Sequence, residues 1–405
     1  MGMKSRWMLV VLAMAPVFVL NSCSGSNNAP ADTSFMWVAT QGDQKVRSYT
    51  IRQNNGAINP IGSNGSPAAT GVQPEAMIIT PDGKTMFMAN AGGTITAYTV
   101  KGDGTLTASG SPATAGSVPV ALAADPAGKF LFVANQGSAS DVTSGTISVF
   151  AISGTSLTSV GNPIPTELPA DVSGSGPSGV AVSPVGNYLY VANQFSNNVL
   201  SYSFDASGNL RLINSYIAGT NPTGLAFSRC AGVASNTTTA NCTVADGNNL
   251  FVTNSGSNNI SIFSACIQVS ATCGIGGSAP DGTLTEIPSK SPVAAGVGPA
   301  TIFVNRTSDF VYAVDRGSNQ ISEYQYSPAT GVLTPLATGS GGASVFSGGI
   351  TSNIANNSNT FNWVVLTNNG SSSLSPFQVQ ATGKLITPTS GQYAVQGQPS
   401  AILLR

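Results

Sequence analysis

Three charged side chains of this sequence stand at positions where they could do chemistry. Glu75, Asp315 and Arg316 each occupy a position that recurs along the chain, mostly with small, apolar or amide residues in the other copies. A carboxylate beside a guanidinium can polarise or bind a small polar ligand, and a carboxylate can act as a general base. The alternative is a solvated ion pair that closes a loop and adds little to stability. These three residues are the candidate catalytic residues.

The residue types that are missing from the sequence exclude several kinds of catalytic site. The sequence contains no His, which removes the commonest general base near neutral pH and the commonest zinc ligand. A Ser–His–Asp triad therefore cannot form. No Cys-x-x-Cys pair points to a metal, and three Trp are too few for the Trp-based blade motif of quinone-dependent dehydrogenases. We therefore predict neither a metal nor a cofactor.

Composition argues against one class of partner. Only 8% of the 405 residues are charged, the net charge is −1, and no cluster of Lys and Arg occurs in the body of the chain. A nucleic-acid surface needs such a cluster to neutralise phosphates, so nucleic acid is not expected as a partner. The 46 Gly and 24 Pro are typical of many short strands joined by tight turns.

The elements that position the candidate residues belong to an internal repeat. Four patterns recur in a fixed order: a Pro-led apolar run (strand a), a β-forming run that mostly ends in Asn (strand b), an alternating run (strand c), and a Gly-centred turn that opens a short strand d. Strand a begins at Pro74, Pro119, Pro177, Pro222, Pro299 and Pro399, and a seventh copy near Ser347 to Ile350 lacks the Pro. Strand b ends at Thr40, Asn90, Asn135, Asn193, Asn254, Asp315 and Asn368.

The number and order of these patterns predict the fold. Strand c recurs about every 55 residues, and four strands in a period of that size are typical of propeller blades. Seven copies predict an all-β, seven-bladed β-propeller over residues 35–405, with four antiparallel strands per blade. The chain begins at a strand b and ends on a strand a, so the C-terminal strand is expected to join the first blade and remove a free edge. An open β-solenoid, the alternative, needs no such exchange of ends.

This fold would bring the candidate residues together. Strand a starts and strand b ends at the same face, so Glu75, Asp315 and Arg316 are expected near one mouth of the central channel. The Asn that recurs at the end of strand b is expected to be structural, since Asn tolerates turn geometry and bonds nearby backbone. Arg47 and Glu323 fall on strand c, an outer strand, and are expected to be solvated.

The N-terminus predicts export and a lipid anchor. Residues 1–22 have the form of a lipoprotein signal peptide, in which cationic residues precede a short apolar stretch. The run Leu20-Asn21-Ser22-Cys23 resembles the bacterial lipobox, whose Cys is acylated and becomes the first mature residue. An ordinary cleaved signal with an incidental Cys is the alternative. Residues 23–34 are small and polar, which is typical of a flexible tether.

Export has consequences for location and for the other cysteines. We expect a chain anchored through Cys23 in the cell envelope, on the periplasmic or cell-surface side, and Ser24 is consistent with sorting to the outer membrane. An even number of further Cys in an exported chain suggests disulfides. They are Cys230, Cys242, Cys266 and Cys273. Three pairings are possible, and the local one needs the least chain closure.

The best copies of the repeat carry a family resemblance. They are Pro74 to Lys84, Pro119 to Asn135 and Pro177 to Asn193. Their Pro-led run, Pro-(Asp/Ala)-Gly-Lys turn and Val-Ala-Asn ending resemble the seven-bladed lactonase-type propellers, which include 6-phosphogluconolactonase-like and YVTN-repeat proteins. The resemblance implies a His directly after the Pro of strand a, with Arg and Glu nearby at the channel mouth. Here the residues after those prolines are Glu75, Val120, Ser178, Thr223, Ala300 and Ser400.

Two functions follow from these observations. Because the family's usual His is missing, we expect a propeller that binds a small molecule, a glycan or a protein at its face, as an interaction module of the cell envelope. The alternative is a lactone hydrolase, similar to 6-phosphogluconolactonases, in which Glu75, Asp315 and Arg316 replace the usual catalytic set.

Overall fold

The chain folds as a ring of seven antiparallel β-sheets. The computed structural model describes residues 33–138, 144–168, 175–228, 248–267, 279–287, 289–305, 309–336, 350–356, 363–388 and 391–405. Within these residues the regular structure consists of thirty-three strands and a single 3₁₀ turn at Ser63–Gly65. In the same part of the chain, no helix has the length and apolar character needed to cross a membrane.

The first four blades follow one another along the chain, and the N-terminal segment supplies all strands of blade 1 except the innermost one. Blade 1 has β1 (Thr33–Thr40), β2 (Lys45–Arg52), β3 (Ile58–Pro60) and β4 (Ala68–Ala69). Blade 2 has β5 (Pro74–Ile79), β6 (Thr85–Asn90), β7 (Thr94–Val100), β8 (Leu106–Ala108) and β9 (Ala113–Thr114). Blade 3 has β10 (Pro119–Ala124), β11 (Phe130–Asn135), β12 (Thr146–Ser153), β13 (Ser156–Ser159) and β14 (Ile164–Pro165). Blade 4 has β15 (Pro177–Val182), β16 (Tyr188–Asn193), β17 (Asn198–Phe204) and β18 (Leu210–Ile217).

The remaining blades repeat the same order, and the last strand returns to the first blade. Blade 5 has β19 (Pro222–Phe227), β20 (Asn249–Asn254), β21 (Asn259–Ala265), β22 (Leu284–Glu286) and β23 (Val293–Ala294). Blade 6 has β24 (Pro299–Val304), β25 (Phe310–Asp315), β26 (Gln320–Ser327) and β27 (Val332–Pro335). Blade 7 has β28 (Ile350–Asn356), β29 (Trp363–Asn368), β30 (Ser373–Val379), β31 (Leu385–Ile386) and β32 (Tyr393–Ala394). The final strand is β33 (Pro399–Leu404).

The ring closes as the sequence predicts. β33 pairs antiparallel with β1, with Trp37 opposite Leu403 and Val38 opposite Ile402, so the C-terminus supplies the innermost strand of blade 1. Arg405 extends the contact by donating through Nη1 to the carbonyl of Gly83 in blade 2, at 2.7 Å. The predicted all-β, seven-bladed propeller is therefore confirmed.

Two details differ from the predicted blade. In five blades strand d is split into two segments that pair with opposite ends of strand c. In four of these a Pro directly precedes the second segment, and Pro breaks a strand because it cannot donate a ladder hydrogen bond. These are Pro67, Pro112, Pro163 and Pro292. Strand a of blade 7 begins at Ile350 and continues to Asn356, beyond the predicted Ser347 to Ile350.

The core lies between neighbouring blades. Strand b is buried along most of its length in each blade, and its aromatic side chains pack against the next sheet. Trp37 of blade 1 donates through its indole nitrogen to the carbonyl of Gly104 in blade 2, at 2.8 Å. Tyr312 of blade 6 donates to the carbonyl of Gly383 in blade 7, at 2.6 Å. Apolar burial and these buried hydrogen bonds together fix each blade to the next.

Candidate functional site

The strand order defines an entrance face around the channel. Strand a is the innermost strand of every sheet, and its first residue lies opposite the last residue of strand b, as Pro74 opposite Asn90 shows. In blades 2 to 6 a register shift follows the strand-a Pro, so the next residue is bulged. We call these residues, with their counterparts in blades 7 and 1, the inner ring: Glu75, Val120, Ser178, Thr223, Ala300, Thr351 and Ser400.

A second set of residues lies just beyond the end of strand b. In blades 1 to 6 the backbone N–H of the first residue of the b–c loop donates to the carbonyl of the residue before the strand-a Pro, as in Arg316 to Gly298 at 3.0 Å. This extends the a–b ladder at the mouth of the channel. We call this set the loop ring: Gln41, Ala91, Gln136, Gln194, Ser255, Arg316 and Asn369.

Hydroxyls of the inner ring link neighbouring blades. Ser178 donates to the carbonyl of Pro222 in the next blade at 2.7 Å, and Thr223 donates to that of Pro299 at 3.0 Å. Ser400 donates to the carbonyl of Pro74 in the same way. An ionised Glu75 cannot make this bond because a carboxylate only accepts hydrogen bonds. Its carboxylate instead accepts a hydrogen bond from Nε2 of Gln41, in the neighbouring blade, at 2.8 Å.

The electrostatic setting of Glu75 suits a base. Burial raises the pKa of the Glu75 carboxyl, while the Gln41 hydrogen bond and the positive charge of Arg316 lower it, and the net shift is upward. Glu75 is half-buried and Arg316 is exposed. Arg316 belongs to blade 6 and Glu75 to blade 2, so the two charges interact across the channel mouth, through space rather than through a hydrogen bond.

Asp315 is placed differently from the other two candidates. Its side chain is fully buried in blade 6 and accepts a hydrogen bond from the Ser322 hydroxyl at 2.6 Å. Burial raises the pKa of Asp315 to about 6, against hydrogen bonds that lower it. The structure therefore places Arg316 where its charge acts on Glu75 across the channel mouth, and it leaves Asp315 in the interior of the blade.

The recurring Asn shows what position Asp315 fills. Asn90 accepts a hydrogen bond from the N–H of Gly71 at 3.0 Å and donates to the Thr96 hydroxyl at 3.0 Å. Asn135 does the same with Gly116 and Ser148. Each of these Asn joins its own strand c to the loop before strand a, which is a structural role, as the recurrence predicts. Asp315 holds the equivalent place in blade 6.

The amides of the loop ring were not predicted as site residues. Gln41 reaches Glu75, and Asn369 donates to the carbonyl of Pro399 at 3.4 Å. Gln136 and Gln194 occupy the same loop position in blades 3 and 4. The signal was present, because each amide directly follows the last residue of a strand b. That these amides lie together at the channel mouth follows only once the ring has brought the separate blades together.

Arg47 is buried, and its predicted solvation was wrong. Its side chain is 2% exposed, pairs with Asp43 and donates to the Thr40 hydroxyl at 3.0 Å. In blade 1, Thr40 and Arg47 stand where four other blades have Asn and Ser or Thr, so the guanidinium fills the space beneath the b–c loop. It fastens the loop that carries Gln41. Glu323 is half-buried, and burial raises its pKa to about 7.

Several predicted residues lie outside the described part of the chain. They are Cys23, Cys230, Cys242 and Cys273. The signal peptide, nearly all of the tether, the lipid anchor and the disulfide pairing therefore stay predictions. Cys266 is described and buried, with its sulfur 3.7 Å from the carbonyl oxygen of Ala279. Among the described residues, no group of three or more His, Cys, Asp or Glu side chains is arranged to hold a metal ion.

Solved structures share this architecture. A putative 6-phosphogluconolactonase from Bacteroides fragilis superposes with a TM-score of 0.71 at 18% identity, covering 93% of this chain and 98% of that chain. A putative 6-phosphogluconolactonase from Bacteroides uniformis gives 0.68 at 17% identity, covering 92% and 100%. A periplasmic gluconolactonase from Pseudomonas aeruginosa gives 0.67 at 18% identity, covering 92% and 99%. Identities this low show a shared fold.

A match to a family model shows which protein family the chain belongs to. The model described as "Lactonase, 7-bladed beta-propeller" matches residues 35–162 and 245–402, which is more than half of the chain. No curated protein sequence matches this chain. The family model, the seven sheets and the closure through β33 agree. The chain therefore belongs to the lactonase family of seven-bladed β-propellers.

Proposed function

We propose that this protein hydrolyses a lactone at the channel mouth, with Glu75 as general base and Arg316 as the charge that stabilises the transition state. One observation carries the proposal: Glu75 accepts a hydrogen bond from Gln41 and interacts electrostatically with Arg316 of a distant blade. Membership of the lactonase family supports the reaction class. A carboxylate with a raised pKa, held at a defined position, is suited to taking a proton from water.

The reaction balances with these two residues. Water adds its oxygen to the lactone carbonyl carbon, and Glu75 takes the proton that the water loses. The negative charge that develops on the carbonyl oxygen is stabilised by the Arg316 guanidinium. The bond between the carbonyl carbon and the ring oxygen then breaks. The ring oxygen leaves with the proton from Glu75, which gives a hydroxy acid and restores the carboxylate.

This proposal explains the missing His. The family resemblance implies a His directly after the Pro of strand a, and Glu75 stands at that position in blade 2. A half-buried carboxylate with a raised pKa can serve as a base in place of an imidazole. Asp315 has no part in the reaction, because its carboxyl is fully buried in blade 6.

Site-directed variants test the proposal. Purified protein is assayed over a panel of five- and six-membered lactones, with Glu75→Gln, Arg316→Gln and the buried control Asp315→Asn. We expect kcat/KM to fall at least about 100-fold in the first two variants and to stay within about threefold in the control. A panel with no turnover by the unmodified protein, or full activity in Glu75→Gln, would overturn the proposal.

A second candidate function is binding without turnover. It is favoured by the composition of the mouth, where Glu75 is the single acid among the fourteen positions of the inner and loop rings and the rest are mostly amide, hydroxyl or apolar. Such a surface can recognise a polar ligand by hydrogen bonds alone. Calorimetric binding of a lactone that persists for hours without hydrolysis would favour this function over catalysis.

We also propose that the protein acts in the cell envelope, tethered through Cys23. The N-terminal residues support this, and one of the similar structures is a periplasmic gluconolactonase. Cell fractionation tests it: the unmodified chain is expected with the membranes and released by detergent, and Cys23→Ser is expected to be absent from that fraction. An unchanged membrane fraction in Cys23→Ser would rule out the anchor.

A further inference from the structure

We infer that the ligand taken at the channel mouth is an uncharged, hydroxyl-rich lactone that carries no phosphate group. This inference rests on the proposed lactone hydrolysis and adds the substrate class. It is carried by three features: the charge balance of the inner and loop rings, their amides and hydroxyls, and two exposed valines in the blades that carry the charged pair.

The charge balance of the mouth disfavours a phosphate. Arg316 is the single cation and Glu75 the single anion among the residues of the two rings, and the two already interact. A phosphate monoester carries a charge of about −1.5 to −2 at pH 7, and a site that binds it must replace its water with several hydrogen-bond donors and compensate its charge. Placing it beside Glu75 with one shared guanidinium would leave negative charge uncompensated.

Among the described residues, two other cations near this face are placed away from a ligand in the channel. Arg47 is 2% exposed and is paired with Asp43. Lys45 opens β2, the third strand outward in blade 1, so strands a and b lie between it and the channel. The described residues of the two rings therefore present no net positive charge with which to attract or hold a dianion.

The amides and hydroxyls suit a polyhydroxylated ligand instead. Each Gln or Asn side chain both donates and accepts hydrogen bonds, as every ligand hydroxyl also does. Gln136 and Gln194 stand in the loop ring at half-buried positions on neighbouring blades. A neutral hydroxyl can exchange its water for such partners with little net cost, whereas a charged group cannot.

Two apolar side chains complete the surface. Val72 and Val297 are each 54% exposed, and they lie two residues before strand a in the blades that carry Glu75 and Arg316. Their backbone is fixed, because their carbonyls accept hydrogen bonds from Gly92 and Gly317. The same position in other blades is polar or Gly: Ser117, Ser175, Thr220 and Gly397. The valines offer contact to the C–H faces of a sugar-like ring.

The decisive experiment compares matched ligands that differ by one phosphate. Hydrolysis is measured for glucono-1,5-lactone and its 6-phosphate, and binding is measured by calorimetry for 1,5-anhydroglucitol and its 6-phosphate, which have no lactone bond. We expect the neutral member of each pair to be preferred at least about tenfold. We also expect binding of the neutral ligand to change little between low and high salt, because no charge pairing is involved.

The two ligand pairs separate the inference from the proposed function. Preferred binding of 1,5-anhydroglucitol with no hydrolysis of either lactone would keep this inference and defeat the hydrolase. Faster hydrolysis of the phosphorylated lactone would keep the hydrolase and overturn this inference. Binding of neither anhydroglucitol, or tighter binding of the phosphorylated one, would also overturn it.

A gain-of-charge variant checks the physical reason. Ser255→Arg adds a second cation to the loop ring, in the blade next to that of Arg316, and is expected to improve binding of the phosphorylated ligand at least about fivefold. Thr107→Arg on the exposed outer strand β8 adds the same charge away from the mouth and is expected to leave the preference unchanged. If Ser255→Arg leaves the preference for the neutral ligand unchanged, charge at the mouth does not determine that preference, and the inference is overturned.

Discussion

At the level of single residues, the neighbours of Glu75 determine its hydrogen bonding and its pKa. In most blades the same bulged position holds a small or hydroxyl side chain, and hydroxyls there tie one blade to the next. Glu75 gives up that link and accepts a hydrogen bond from Gln41 instead. The bond stabilises the charged carboxylate, whereas burial opposes it, so the pKa of Glu75 depends on both.

Gln41→Leu should therefore change the pH profile as well as the rate. Loss of the hydrogen bond to the charged form raises the pKa of Glu75 further, so the acidic limb of kcat/KM against pH moves to higher pH. Gln194→Leu is the matched control, since it removes an amide at the same loop position in blade 4. That variant is expected to weaken substrate binding and leave the limb in place. Equal limbs in the two variants would contradict the role of Gln41.

Asp315 provides a prediction about stability. Its pKa is raised to about 6 in the folded chain from 3.8, so folding favours the protonated form. The contribution of this group to stability is greatest below pH 3.8 and is lost as pH rises through about 6. Asp315→Asn removes this loss and restores the side chain found in five other blades. We expect it to raise the free energy of unfolding by about 2–3 kcal/mol at pH 8 and to change it little at pH 4.

The reciprocal substitution is the control for that prediction. Asn254 in blade 5 donates to the Ser261 hydroxyl at 3.0 Å, as an Asn at position 315 would donate to Ser322. Asn254→Asp should introduce the same loss of stability with rising pH. Denaturant unfolding at several pH values measures both variants. A pH-independent effect of Asp315→Asn would show that ionisation of Asp315 is not the cause.

At the scale of elements, the c–d turns explain why Gly recurs in each blade. Gly104 has a φ of +80°, and a Cβ there would lie 2.3 Å from the Phe35 ring of the preceding blade. Gly383 in blade 7 is similar, with a φ of +82° and the Phe310 ring at 2.2 Å. Gly154 in blade 3 has a φ of +58°, but a Cβ there would meet nothing within 4 Å. Each c–d turn requires a left-handed backbone at its Gly, and in most blades a side chain of the preceding blade also leaves no room for a Cβ there.

Gly104→Ala and Gly154→Ala separate these two requirements. Both variants place a side chain in the left-handed region, which costs roughly 1–2 kcal/mol. Gly104→Ala must in addition displace the Phe35 ring, which adds roughly 1–3 kcal/mol as overpacking does elsewhere. Thermal unfolding should therefore show a clearly larger loss for Gly104→Ala. Equal losses would mean that backbone conformation alone accounts for the Gly.

At the scale of the whole molecule, the fold depends on pairing its two ends. β33 lies between β1 and the channel, and Arg405 reaches the carbonyl of Gly83 in blade 2. Trp37 of β1 is fully buried beside this strand, with Leu403 opposite it. Without β33 the inner edge of β1 would be unpaired and a large apolar surface would be exposed.

A chain that ends at Gln398 should therefore lose cooperative unfolding or become insoluble, and its Trp emission should shift to longer wavelength as Trp37 meets water. A chain that starts at residue 32 keeps every strand of blade 1 and is the control. Unchanged emission and melting temperature in the shortened C-terminus would contradict closure through β33.

Local sequence patterns were sufficient to predict the architecture and to identify the three candidate residues. Blade number, strand order and the exchange of ends follow from local patterns, because alternation, Gly turns and Pro-led runs act over a few residues. The same locality explains what it missed. The topology placed Arg316 at the same mouth as Glu75, but nothing near Glu75 in the chain indicates that Gln41 lies within hydrogen-bond distance of it, since separate blades must be arranged around one channel first.

Which side chains meet at that mouth depends on how the strands pair and how the blades pack. A one-residue bulge after Pro74 presents Glu75 at the channel, while Asp315, which ends strand b of blade 6, is buried within its blade. Arg47, on an outer strand by pattern, is buried against the b–c loop of blade 1, where it pairs with Asp43 and donates to Thr40. Register and burial depend on contacts between segments that are distant in the chain. These contacts form, and stabilise the fold, only when the ring is closed.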